Sequence, residues 1–149
     1  MKLAEALQER ADLNRQVSQL ERRLDDNAVH QEGVAPAEDP EDLMRILASA
    51  LARLEALTVA INLRNSSVLH NGVTLTALLA KRDCLTTRIR ILRGFADQAG
   101  QIAHRSSHTE ILIRSTVSVK DLRTELDGLS KELRLLENTI QSINWTTDL

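Results

Sequence analysis

The clearest pattern of hydrophobic and polar positions lies in the last third of the chain. Between Val119 and Ile143, aliphatic residues recur at alternating intervals of three and four, and charged or polar residues fill most of the positions between them. The aliphatic positions are Val119, Leu122, Leu126, Leu129, Leu133, Leu136, Ile140 and Ile143. This spacing is typical of an amphipathic helix whose apolar seam needs partner helices. The pattern predicts a helix over about 119–144.

Three further segments show the same pattern less regularly, and they predict helices over about 2–27, 41–64 and 75–103. Polar residues interrupt the first seam at Arg10 and Asn27 and the third at Arg82. A polar seam residue can fix register in a coiled coil, or a long side chain such as Arg10 can lie along the seam and reach water. Asp39 and Pro40 resemble an N-cap and first helical residue.

Two non-helical stretches separate these segments. Residues 68–75 predict a short hairpin around Asn71-Gly72, with Thr74 or Thr76 capping the next helix. Residues 109–117 predict a strand, which pairs either with 68–75 or with the same strand of a second subunit. Ser118 and Asp121 then form a capping box before the last helix.

Together these elements predict a mainly α fold over a single domain, 1–149. We expect an elongated antiparallel four-helix bundle or coiled coil with a small β element at about 68–75 and 109–117. Extra apolar residues in the second helix favour a bundle over an isolated pair. Charges predict that the last two helices pair antiparallel, because Lys81 and Arg88 flank one seam and Glu125 and Glu132 flank the other.

Composition narrows the class of protein. Phe95 and Trp145 are the aromatic residues, which suits helix packing better than a large sheet. The net charge is -2 with acids and bases mixed, which argues against nucleic-acid binding. The lone Cys84 excludes an intrachain disulfide and is compatible with a reducing cytosol. We find no pattern of a signal peptide or membrane span and expect a cytoplasmic protein.

The chain offers few candidates for chemistry. On a helix, His104 and His108 would share a face at metal-ligand spacing, but Gly100 and the serines at 106–107 indicate that the helix is ending. Exposed loop histidines are the simpler interpretation. The acidic loop at 28–40 could bind a divalent cation, although capping and solubility explain it more simply. We therefore assign no catalytic, cofactor-binding or metal-binding residue.

Three other positions have both a structural and a functional interpretation. Cys84 has basic neighbours that could lower its pKa if it is exposed, but an inert thiol is the simpler case. Arg82 lies in an aliphatic seam next to Asp83, so we expect a carboxylate partner, which an oligomer interface could supply. Trp145 ends the last helix, where we expect it to cover the end of the core.

The chain resembles a family of small bacterial coiled-coil proteins of unknown function, often labelled septicolysin or septicolysin-like. The segments that carry the resemblance are 1–7 (MKLAEAL), 38–43 (EDPEDL), 72–83 (GVTLTALLAKRD) and 144–149 (NWTTDL). The label implies an oxygen-labile haemolysin, but the chain shows no aromatic-rich insertion loop and no amphipathic hairpin long enough for a pore. The resemblance implies no catalytic residues.

The sequence therefore favours a structural or protein-interaction protein, a helical bundle that self-associates as a homo-oligomer and binds an unidentified partner, with no enzymatic activity. One alternative is a metal-binding protein or enzyme that uses His104, His108 and the acidic loop. The other is a membrane-active, septicolysin-like lysin.

Overall fold

The computed structural model describes residues 1–101 and 113–149. Four helices account for most of them: α1 (Leu3–Asp26), α2 (Pro40–Ser67), α3 (Leu75–Gly100) and α4 (Val119–Thr146). Two short strands, β1 (Leu69–His70) and β2 (Val73–Thr74), form a two-stranded sheet. The predicted fold class, a mainly α helical bundle of four helices with a small β element, is confirmed.

The helices begin where the capping residues predict. The Asp39 carboxylate accepts a hydrogen bond from the backbone N–H of Glu41 at 2.9 Å, with Pro40 as the first residue of α2. The Thr74 hydroxyl accepts from the N–H of Ala77 at 3.2 Å at the start of α3. The Ser118 hydroxyl accepts from the N–H of Asp121 at 3.3 Å before α4. Local side-chain chemistry therefore sets these three boundaries.

The hairpin at 68–75 is confirmed, and the strand at 109–117 is not. Asn71 and Gly72 both have positive φ, 51° and 80°, as a tight two-residue hairpin turn requires. Residues 109–112 lie outside the described residues, and 113–117 form no strand. Ser115 accounts for this, because its hydroxyl donates to the carbonyl of Val117 and accepts from the Val117 N–H. Such local bonds compete with strand pairing.

The chain divides into two compact units, one formed by Met1–Leu69 with Ile143–Leu149 and the other by His70–Ser142. In the first unit, α1 and α2 pack along their seams. The buried hydrophobic residues of this unit are Leu3, Ala6, Leu20, Leu43, Ala50, Leu57, Ile61 and Ile143. Asn27 is buried at the end of α1, and its amide donates to the carbonyl of Arg23 and accepts from the N–H of Glu38. This seam residue therefore anchors the following loop.

The two ends of the chain pair within the first unit. The N–H of Leu3 donates to the carbonyl of Thr147 at 2.9 Å, and the N–H of Leu149 donates to the carbonyl of Met1 at 3.0 Å. Between them, Lys2 and Asp148 form an antiparallel bridge, with 2.8 Å from Nζ to Oδ1. The C-terminal segment is thus fixed beside the start of α1.

In the second unit, α3 and α4 pack around one hydrophobic cluster. Its buried members are Leu85, Ile89, Ala96 and Leu126, and the partly buried side chains against it are Leu92, Leu122, Leu129 and Leu133. Lys81 pairs with Glu132 at 2.8 Å, and Arg88 pairs with Glu125 at 2.7 Å. The pairs lie one heptad apart on each helix and run in opposite order, so the predicted antiparallel pairing is confirmed.

Candidate functional site

The acidic loop at 28–40 is held by an ion pair with α1 and by the N-cap of α2. Arg23 binds Glu38 with both arms of its guanidinium, with 2.9 Å from Nε to Oε2. This hydrogen bonding lowers the pKa of the Glu38 carboxyl. Asp39 is engaged as the N-cap of α2. Across residues 1–101 and 113–149, no three histidine, cysteine or acidic side chains lie close enough together to hold a metal ion.

The predicted histidine pair falls outside the described part of the chain. His104 and His108 both lie between residues 101 and 113. Metal binding by these two side chains therefore stays a prediction, and so does the alternative that they are exposed loop residues.

Arg82 takes its carboxylate partner from the adjacent residue. Its Nη2 and Nε donate to Oδ1 of Asp83 at 2.7 and 2.9 Å. Beside this pair, α3 carries an open groove of 490 Å³, lined by Asp83, Cys84, Thr87, Arg88, Ile91 and Leu92. Cys84 is exposed in it. The groove is apolar with charged edges at Asp83 and Arg88, and the Asp83 carboxylate is paired with Arg82.

Trp145 does not cover the core, which corrects the expectation from sequence. Its side chain is 64% exposed, whereas Ile143 is buried. Two residues along a helix correspond to a rotation of roughly 200°, so burial of Ile143 turns Trp145 outward. Trp145 borders a shallow groove on α1 formed by Ala4, Glu5, Gln8, Glu9 and Asp12.

Among the described helices, α2 exposes the most large hydrophobic side chains. Its exposed large hydrophobic residues are Met44, Ile46, Leu51, Val59 and Leu63. By length and composition α2 could also cross a membrane, and only 17% of its most apolar stretch is buried. Length and composition alone are weak evidence for a membrane span, because core helices of soluble proteins share them.

A second seam runs along the exposed side of α2, and we call it the outer seam. Its members follow each other at intervals of three and four, and all are exposed: Arg45, Ala48, Ala52, Glu55, Val59 and Asn62. The buried seam of the same helix contains Leu43, Ala50, Leu57 and Ile61. The aliphatic spacing in the sequence indicates only the buried seam. The near absence of charged residues between Ile46 and Leu63 was the sequence feature that could have indicated the outer seam.

The charged residues Arg53, Arg45 and Glu55 of α2 have different surroundings. Arg53 makes a bidentate pair with Glu9 of α1, at 2.7 Å from Nε and 2.9 Å from Nη2, and this hydrogen bonding lowers the pKa of Glu9. The pair fixes the side of α2 that faces α1. Arg45 and Glu55 remain on the outer seam, where Arg45 contacts Asp42 of its own helix.

Comparison with known proteins identifies relatives of unknown function. A solved structure, titled as the crystal structure of a functionally unknown conserved protein from Corynebacterium diphtheriae, is 36% identical to this chain. Its TM-score is 0.94, and the match covers 100% of this chain and 98% of that one. A comparison with curated proteins found no match.

The family is shown by a match over most of the chain. The model of a family of unknown function, DUF6847, matches residues 10–149. Nothing in these comparisons supports the septicolysin label that the sequence resemblance suggested. The chain belongs to the DUF6847 family of unknown function.

Proposed function

We propose that this protein is a non-enzymatic structural or interaction protein that self-associates through exposed apolar helix faces. The observation that carries the proposal is the surface of α2, which exposes five large hydrophobic side chains and buries four residues. Single exposed hydrophobic residues are ordinary, but five large ones on one helix indicate an interaction surface.

The packing of each unit supports association. Two helices that pack against each other cover only one stripe on each helix. Where the apolar stripe is wider than a coiled-coil seam, its edges stay exposed as apolar flanks. On α3, Ile91 and Phe95 are exposed on a different side of the helix from the buried Leu85 and Ile89. Additional helices would cover such flanks, and another copy of the chain supplies them.

We also propose a cytoplasmic location and no binding of nucleic acid. The exposed free thiol of Cys84 suits a reducing compartment. Acids and bases mixed at a net charge of -2 provide no basic stripe for a phosphate backbone. The metal-binding alternative rests on His104 and His108, and the membrane-active alternative rests on the composition of α2.

Sedimentation equilibrium of the intact chain tests the proposal. We expect a dimer or larger assembly at micromolar concentration, with dissociation on dilution. A chain that stays monomeric up to high micromolar concentration would contradict self-association. Metal analysis of the native protein, carried out in parallel, tests the metal-binding alternative. Stoichiometric bound metal would favour the histidine site.

A further inference from the structure

The outer seam of α2 carries two charges of opposite sign in a self-complementary arrangement. Arg45 and Glu55 are both exposed on this seam, and Ala48 and Ala52 lie between them. Along the helix the two charged residues are about 15 Å apart, so they cannot reach each other within one chain. Arg45 contacts the exposed Asp42 of its own helix, and Glu55 needs an opposite charge from elsewhere once the seam is covered.

We propose that the outer seam binds the outer seam of a second copy, antiparallel and related by a twofold axis that passes the exposed side of α2 at the height of residue 50. The inference rests on the self-association proposed above and names its surface and partner. In an antiparallel pair, the alternate seam positions of one helix lie opposite those of the other. Arg45 then faces Glu55 of the partner subunit, and Ala48 faces Ala52 of the partner subunit. A twofold interface makes each contact twice.

Electrostatics selects this register over its neighbour. A shift by one heptad also aligns the seams, but it places Glu55 opposite Ala52 of the partner subunit. The two Glu55 carboxylates would then lie within about one helical turn of each other beside apolar side chains, and that repulsion is costly. The register centred at the height of residue 50 separates the two carboxylates and gives each an arginine.

Side chains beside the outer seam fit the same register. Leu51 lies next to the twofold axis, so it contacts Leu51 of the partner subunit. Met44 reaches Thr58 of the partner subunit on the same edge. The small side chains of Ala48 and Ala52 allow the two helices to approach closely, so the leucines at the axis become buried.

A second copy suits this surface better than a lipid bilayer does. Insertion of the outer seam into lipid would bury Arg45 and Glu55 without partners, at high cost. Arg45 does contact Asp42 on its own helix, but that pair is exposed and contributes little. The guanidinium has five donors, so it can bind Glu55 of the partner subunit as well.

Charge reversal tests the register directly. Arg45→Glu or Glu55→Arg alone creates two like-charge pairs per dimer, and we expect the dissociation constant to rise by roughly tenfold or more. The double variant restores attraction and should recover the wild-type constant. An equimolar mixture of the two single variants should form the heterodimer in preference to either homodimer. Glu21→Arg, at an exposed position of α1, is the matched control and should leave association unchanged.

Cysteine cross-linking gives an independent readout in a Cys84→Ser background. Leu51→Cys should form a covalent dimer rapidly on oxidation, because the two copies of this position meet at the axis. Leu63→Cys, also exposed on α2, should not, since the two copies lie about 39 Å apart along the helices. Circular dichroism checks that each variant keeps its helix content.

The outcomes separate this inference from the proposed function. A wild-type dimer whose constant is unaffected by the charge variants would overturn the α2 interface and leave self-association standing. Failure of the double variant to recover would also overturn the register. A wild-type monomer that binds phosphatidylglycerol vesicles through α2 would overturn both the inference and the proposed function.

Discussion

The two units of this chain use the same seam pattern but are stabilised differently. The unit with α1 and α2 has fully buried side chains such as Leu3, Leu57 and Ile61, and backbone hydrogen bonds join its two ends. The unit with α3 and α4 has a small cluster in which Leu85 and Leu126 keep slight exposure, and ion pairs run along its flank. Deep apolar burial dominates the first unit, and flanking charge contributes to the register of the second.

This difference has a consequence for function. Arg53 of α2 is paired with Glu9, and Lys81 and Arg88 of α3 are paired with α4, so these charges fix helix pairing inside each unit. On α2, Arg45 and Glu55 lie apart from that pairing, on the outer seam together with Ala48, Ala52 and Val59. The surface left over after each unit is built is therefore most apolar on α2, where we place the contact between copies.

Core truncation should show the largest difference between the units. Leu57→Ala removes a fully buried side chain and should cost about 3–4 kcal/mol. Leu129→Ala removes a partly buried one and should cost about 1–2 kcal/mol. Urea unfolding followed by circular dichroism measures both values. Equal losses would contradict the difference in burial.

Replacement of the buried Asn27 should have the next largest effect. Asn27→Ala leaves the N–H of Glu38 and the end of α1 without their partner, and we expect a loss of about 1–3 kcal/mol. Asn14→Ala is the control, because Asn14 is exposed and donates only to a carbonyl of its own helix. The control should change stability by less than about 0.5 kcal/mol. If both substitutions had the same effect, Asn27 would not anchor the loop.

Reversal of a flank charge in the second unit should have a smaller effect. Glu132→Lys opposes Lys81 and should cost about 0.5–1 kcal/mol, because the pair is exposed. Lys81→Glu combined with Glu132→Lys should restore most of the loss. A double-mutant cycle in urea measures the coupling free energy between the two residues. A coupling of zero would show that this ion pair does not contribute to the antiparallel register.

Acid should weaken the first unit through carboxyls whose pKa is lowered. Hydrogen bonds from Arg53, Arg23 and Lys2 lower the pKa of Glu9, Glu38 and Asp148 below the ordinary values of 4.5 and 3.8. Since the folded-state pKa is the lower one, the stability they add is present above the ordinary values. This added stability is lost as the pH falls through the lowered pKa values of the folded state.

A triple variant isolates this acid effect. The substitutions Glu9→Gln, Glu38→Gln and Asp148→Asn should flatten the dependence of the urea midpoint on pH between about pH 6 and pH 2. Parallel curves for wild type and variant would show that these ion pairs add no pH-dependent stability.

Local chemistry made much of the fold predictable. The caps at Asp39, Thr74 and Ser118, the turn at Asn71-Gly72 and the α3–α4 pairing depend on residues close in sequence or on charges at heptad spacing. The pairing of the chain ends through Lys2 and Asp148 was not predictable in this way. Backbone hydrogen bonds between distant segments leave no side-chain pattern.

The candidate surface was missed for a related reason. Arg45 and Glu55 interrupt the aliphatic spacing of the outer seam. The pattern of aliphatic residues therefore identified only the seam from Leu43 to Ile61. Only the structure shows which of the two stripes α1 covers. Trp145 was wrongly expected to cover the core, because the rotation that Ile143 imposes on it depends on which face of α4 is buried.

Oxidation of the two methionines tests the α2 contact most directly. Met1 and Met44 are almost equally exposed, at 52% and 53%, and Met44 alone lies beside the outer seam. We expect the rate of Met44 oxidation by hydrogen peroxide to fall as the protein concentration rises through the dimerisation range. The rate for Met1 should stay constant. A Met44 oxidation rate that does not change with protein concentration, or protection of Met1 instead, would contradict self-association through α2.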